Sequence, residues 1–115
     1  MNNDDVQYIN EISYGYWKAQ ALFVASEFDL FTLIGERGKS GKVITKKIGS
    51  NLRATEMLLN ALVSLKLLSK SKEIFSNTAV SRHCLMKDSP AYQGDRIQHF
   101  HNMWEYWSGL GRAVK

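Results

Sequence analysis

The residues best suited to chemistry lie toward the C-terminal end of the chain. His99 and His101 flank Phe100, and Met103, Trp104 and Trp107 follow within two helical turns. Two histidines two positions apart on a helix point about 160–200° away from each other, so they do not converge on one metal ion. His83 and Cys84 are adjacent, with no Cys-x-x-Cys or His-Glu-x-x-His spacing anywhere. Cys84 reads as a small core hydrophobe and His83 as a surface residue. No serine or cysteine sits in a recognisable nucleophile turn. The sequence therefore assigns no catalytic residue, no metal ligand and no cofactor-binding residue. Phe100, Met103, Trp104 and Trp107 remain. Tryptophan, phenylalanine and methionine suit flat apolar rings, so these four are the candidate lining of a small-molecule pocket. Core or interdomain packing is the competing reading of the same face.

Elements must hold that face in place, and the composition bounds what they can be. The chain has 115 residues, 44% of them hydrophobic and 23% charged, with one proline and one cysteine. That suffices for one domain with a core and excludes both a disordered linker and a disulfide scaffold. No apolar run approaches the roughly 18 residues of a membrane helix. The acidic start, Met1-Asn2-Asn3-Asp4-Asp5, is unlike a secretory signal. With a lone cysteine, the expectation is a cytoplasmic protein with no membrane partner. The charge is unevenly spread: residues 1–36 carry −5, residues 37–87 carry +9 and residues 88–115 are neutral. A basic middle raises the question of nucleic acid.

Residues 6–34 read as helix, broken once. Val6, Ile9, Ile12, Tyr16 and Ala19 form a stripe at three- and four-residue spacing. Around Leu22, Phe23, Val24 and Ala25 the helix becomes apolar on most sides and needs cover on more than one face. A second copy of the chain or a further domain is the natural cover. Ile9, Ile12, Tyr16, Ala19 and Phe23 are the candidate interface residues. Asp29 is placed to cap the short helix that follows.

Gly35 to Gly41 reads as a loop, without the glycine spacing of a phosphate-binding loop. Val43, Ile44, Lys47 and Ile48 predict a short helix stopped by Gly49. Ser50-Asn51 turns into a helix over residues 52–66. Leu67 to Asn77 reads as a two-stranded hairpin around Ser71-Lys72-Glu73. Thr78 is expected to cap a helix over residues 78–87, with Val80, Cys84 and Leu85 inward. Asp88-Ser89-Pro90 is expected to start a last helix through Ile97, Phe100, Met103, Trp104 and Trp107, loosened at Gly109 and Gly111. Helix, tight turn, helix and hairpin in that order make a winged helix-turn-helix. The fold class is mainly α: a winged helix-turn-helix with a small β-hairpin wing, plus N- and C-terminal helices for dimerisation. Residues 1–34 are the dimerisation helices, 35–87 the winged core and 88–115 a helical connector. The amphipathic, uncapped end reads as a cut through a longer protein.

Winged helices commonly read DNA with their second helix. Here that helix offers Arg53, Thr55, Glu56, Asn60 and Ser64, with a single base. Lys39, Lys42, Lys46 and Lys47 precede it, and Lys70 and Lys72 lie on the wing. Such lysines can meet phosphates without reading sequence. A solvated basic face is favoured, with a winged-helix transcriptional regulator kept as the alternative.

Several segments together resemble a known family. Tyr16-Trp17-Lys18-Ala19-Gln20-Ala21-Leu22 and Phe28-Asp29-Leu30-Phe31-Thr32-Leu33-Ile34 look like the opening of S-adenosylmethionine-dependent O-methyltransferases with an N-terminal winged-helix dimerisation domain. Plant phenolic, hydroxyindole and bacterial polyketide-tailoring enzymes belong to that class. Ile44 to Gly49, Leu52 to Leu62, Leu65 to Leu68, and Ser89-Pro90-Ala91-Tyr92 followed by His99, Trp104, Trp107 and Leu110 continue the likeness in order. The resemblance implies a homodimer with interlocked first helices and aromatic residues that help close a small-molecule acceptor pocket. It implies S-adenosylmethionine in the parent enzyme, bound outside these residues; from the placement of the lysines, no nucleic-acid partner is expected. The family's glycine-rich cofactor motif and histidine base are not in this stretch, and His99 is not that base.

Overall fold

The computed structural model describes residues 3–115; the first two residues of the acidic start lie outside the described part. Helix α1 (Asn3–Glu27) opens the chain with Asp4 and Asp5 in its first turn, where the helix dipole favours acids. It breaks once, at Phe28–Asp29, as the pattern predicts. Asp29 does not cap α2 (Leu30–Ile34): its φ of 55° places it in the left-handed region, and its side chain makes no cap bond. Its carboxylate instead lies 3.3 Å from the Lys87 ammonium. Asp tolerates the left-handed region better than bulkier residues do, which suits it to the kink.

The expected loop over residues 35–41 is partly strand. Lys39–Ser40 is β1, paired antiparallel with β3. Gly38 makes this pairing possible: its φ is +83°, and a Cβ there would fall within 3 Å of Ser76 Oγ and the Phe75 carbonyl. The hairpin of β2 (Leu68–Ser71) and β3 (Ile74–Asn77) therefore becomes a three-stranded sheet of order β1-β3-β2. Between β1 and β2 lie α3 (Gly41–Ile48) and α4 (Leu52–Ser64). Ser40 caps α3 by accepting from Val43 N, and Gly49 closes it in the left-handed region. Asn51 Oδ1 accepts from Ala54 N at 2.9 Å and starts α4. Helix α4 ends at Ser64, two residues short of the expected end, and Lys66 then turns with a φ of 63°.

Helix α5 (Ala79–Cys84) follows β3. Thr78 gives it no side-chain cap, because its hydroxyl donates back to the carbonyls of Lys66 and Leu67. Val80 is half-exposed rather than inward; Ser81 is fully buried in its stead and donates to the Leu67 carbonyl. Pro90 does not start a helix. Ser89 Oγ donates to the His83 carbonyl and Gln93 N to the Cys84 carbonyl, which folds residues 88–93 back on α5 as turns. The last helix is delayed to α6 (Gly94–Asn102) and broken into α7 (Trp104–Ser108) and α8 (Leu110–Val114).

The core is drawn mainly from α1 to α4 and the sheet. Leu30, Phe31, Ile34, Ile44, Leu59, Leu62, Leu68 and Phe75 are at most 2% exposed. Asn77 ties the sheet to α2: its amide donates to the carbonyls of Phe31 and Gly35 at 2.9 Å each. The chain is a mainly α winged helix-turn-helix with added terminal helices, as expected.

Candidate functional site

Helix α6 is anchored by Ile97, which is 8% exposed and belongs to the core. Nearly two turns later the chain reaches Met103, whose N–H donates to the Phe100 carbonyl three residues back. That tighter turn ends α6 and re-aims α7, bringing Trp104 against the second half of α1. The Trp104 ring meets Phe23 edge-on, with centroids 6.3 Å apart at 85°. The His101 ring stacks on Phe23 at 5.2 Å and 19°. His99 instead leans on Phe100, at 5.9 Å and 57°. The two histidines therefore have separate neighbours, in line with their spacing.

The four pocket candidates gather. Phe100, Met103, Trp104 and Trp107 line one side of an apolar recess of about 500 Å³. Tyr16, Ala19 and Phe23 of α1, all candidate interface residues, line the other. Gly15 completes its floor. Ile9 and Ile12 stay apart from it. They sit on the N-terminal half of α1, where every described residue up to Tyr14 is exposed.

A second apolar recess, of about 420 Å³, lies between α1 and the start of α4. Trp17, Val24, Phe28, Ile48 and Leu58 form much of its wall. Sequence reasoning did not name these residues as site candidates. The available signal was a second apolar stripe on α1, at Trp17, Ala21, Val24 and Phe28, facing Ala54 and Leu58 at one-turn spacing on α4. Tyr16 and Trp104 line both recesses and so form the ridge between them. Behind Trp104 the surface turns polar, with Gln20, Glu27, His101 and Glu105 around a further hollow.

The rest of the surface offers little chemistry. Among the described residues no three His, Cys, Asp or Glu side chains cluster as a metal site. Cys84 is a half-buried free thiol. The Tyr92 phenol is pushed above its ordinary pKa, first by burial and then by the Asp29 carboxylate, but it lies off both recesses. The exposed stripe of α4 is Arg53, Ala54, Met57, Asn60 and Ser64, with Met57 65% exposed. A methionine at the centre of that stripe and a single base do not make a base-reading face. Among the described residues the strands are short and antiparallel, and none leads through a glycine-rich turn into a helix. These residues do not build a cradle for S-adenosylmethionine or any other nucleotide-like cofactor. No described helix is long and apolar enough to cross a membrane.

Comparison with known proteins places this geometry. Residues 10–87 match the model of the O-methyltransferase dimerisation domain. Acetylserotonin O-methyltransferase of cattle (Bos taurus) is 31% identical over 114 residues, covering 93% of this chain and 33% of that protein. The N,N-dimethyltransferase OxyT of Streptomyces rimosus is 27% identical, covering 91% of this chain and 31% of its own length. The structure of human N-acetylserotonin methyltransferase in complex with S-adenosylmethionine superposes with a TM-score of 0.86 at 26% identity, covering 96% of this chain and 34% of that one. The chain thus spans about a third of the length of these relatives. No finding favours the transcriptional regulator. With the family model matched across the winged core and most of α1, the chain belongs to the O-methyltransferase dimerisation-domain family.

Proposed function

We propose that this chain pairs with a second copy of itself and forms part of the acceptor pocket of an S-adenosylmethionine-dependent methyltransferase. The carrying observation is the bare N-terminal half of α1: Ile9 and Ile12 are 59% and 63% exposed on a helix whose other half is core. A stripe of large apolar side chains in water marks an association surface. Residues 1–34 supply the dimerisation helices, 35–87 the winged core, and 88–115 the connector that carries the aromatic face. The relatives' activities support methyl transfer, and the aromatic recess supports a flat, apolar acceptor.

In this reading S-adenosylmethionine supplies an electrophilic methyl group and is held outside these residues. Phe100, Met103, Trp104 and Trp107 contribute orientation and exclude water, and none moves a proton. Oxygen is the methylated atom favoured by the acetylserotonin O-methyltransferases, and the name of OxyT keeps nitrogen as the second reading. A reducing, cytoplasmic setting suits the single free thiol.

Light scattering tests the pairing. A dimeric mass that becomes monomeric in Ile9→Glu/Ile12→Glu supports it, and a monomer at every concentration refutes it. The pocket is tested by quenching of tryptophan fluorescence with planar phenols, which Trp104→Ala should abolish.

A further inference from the structure

The two hollows that share Trp104 differ in sign. Glu27 and Glu105 line the polar one, with no lysine or arginine beside them in its described wall. The aromatic recess has no carboxylate in its described wall. The polar groups its wall residues carry are the Tyr16 hydroxyl, the His99 imidazole and the indole N–H groups of Trp104 and Trp107. Each of these can donate a hydrogen bond, and the indoles can do nothing else.

A full positive charge stands at the rim of the same recess. The Arg96 guanidinium lies over the Phe100 ring, 5.4 Å from its centroid. Phe100 belongs to the wall, and His99 leans on its ring at 5.9 Å. Helical spacing puts Arg96 there, since residues four apart on α6 share a face. Arg96 is exposed, and among the described residues it makes no ion pair. The Tyr92 phenol, raised first by burial, also feels Asp95, so the acid next to Arg96 lies toward Tyr92 and off the recess. The guanidinium is thus held by a ring and keeps its donors free.

We propose that Arg96, with His99, makes the aromatic recess select a planar aromatic acid. The ring lies among Phe100, Met103 and Trp104, and its carboxylate meets the Arg96 guanidinium. This rests on the acceptor-pocket reading and adds a charged edge to the flat ring, with the residues that read it. Arginine suits the task, because its planar fork matches a carboxylate with two parallel N–H···O bonds. His99, against the same phenylalanine, supplies a further donor. A cationic acceptor finds no counter-charge in the wall and meets Arg96 at the rim. It would suit the polar hollow behind Trp104 better, where both charged side chains are carboxylates.

Three ligands of one shape separate these cases: 2-naphthoate, 2-naphthamide and 2-naphthylmethylammonium. Binding is read from the indole N–H signals of Trp104 and Trp107 in proton–nitrogen spectra. The naphthoate should bind at least about tenfold tighter than the amide, and the ammonium most weakly. Arg96→Gln should remove most of that advantage, and Arg96→Glu should reverse the order. Because Arg96 is exposed, circular dichroism should be unchanged in both. His99→Phe keeps a ring against Phe100 and should narrow the preference about threefold.

The chain carries +4 overall, so general attraction to anions needs its own control. Arg112→Gln removes an exposed base that lines neither hollow and should leave the preference intact. An equal loss there would overturn the proposal, and so would an Arg96→Gln variant that keeps the full preference. Equal binding of all three ligands by the wild type would overturn the charge selection while leaving the recess as an acceptor pocket. Binding of none would end both.

Discussion

The winged core and the first half of α1 are opposite solutions to the same problem. Phe31 and Phe75 in the core are each 1% exposed, surrounded by elements of their own chain. Ile12, just as apolar, is 63% exposed. Both regions are helix-rich and continuous along one chain, so propensity does not separate them. What separates them is where the covering surface comes from. Helices α2 and α4 and the sheet find theirs inside the chain, whereas the arm has none among the described residues. Stability should therefore reside in the first region and assembly in the second.

The largest expected effect breaks the core. Phe75→Ala should cost about 3–5 kcal/mol, read as a lower urea midpoint, and leave much of the chain unfolded. If it proves mild, the core is not the self-sufficient region. Asn77→Ala should come next, because the Gly35 carbonyl loses its amide donor, while the Phe31 carbonyl keeps the Gly35 N–H. A loss of about 1–3 kcal/mol is expected for that one stranded acceptor. On the other side of the comparison, Ile9→Glu/Ile12→Glu should abolish the dimer while leaving the monomer's midpoint within about 0.5 kcal/mol, as for a surface change. A large loss of monomer stability would show the arm to be part of the core after all. Asn51→Ala should cost about 1 kcal/mol through the lost cap of α4. Smallest is Lys87→Ala, at no more than about 1 kcal/mol, since the Lys87 side chain is 61% exposed where it meets Asp29.

Legibility in the sequence followed the range of the interaction. Gly49 and Asn51 were readable because their bonds are made within one turn of their own position. The break near Asp29 was readable too, but not the left-handed turn that makes it, since its partner Lys87 is remote in sequence. Strand β1 was hidden for the same reason: two residues have no period, and only β3 makes them a strand. Pro90 misled because a proline is equally at home in a turn, and the bonds from Ser89 and Gln93 back to α5 decide between the two. At the candidate site, Phe100, Met103, Trp104 and Trp107 were legible as a helical face. Trp17, Val24 and Leu58 were not, because their recess exists only once α1 and α4 are packed together.

The projecting half of α1 also has a hydrodynamic consequence. Twenty-five helical residues make a rod of roughly 37 Å in a molecule 47 Å along its longest axis. The radius of gyration is 16.0 Å, against about 13 Å for a compact chain of this length. A single copy thus drags more water than a sphere of its mass and tumbles anisotropically, fastest about the rod. Elution from a sizing column will overstate the mass of the monomer, while light scattering, which weighs rather than sizes, will not.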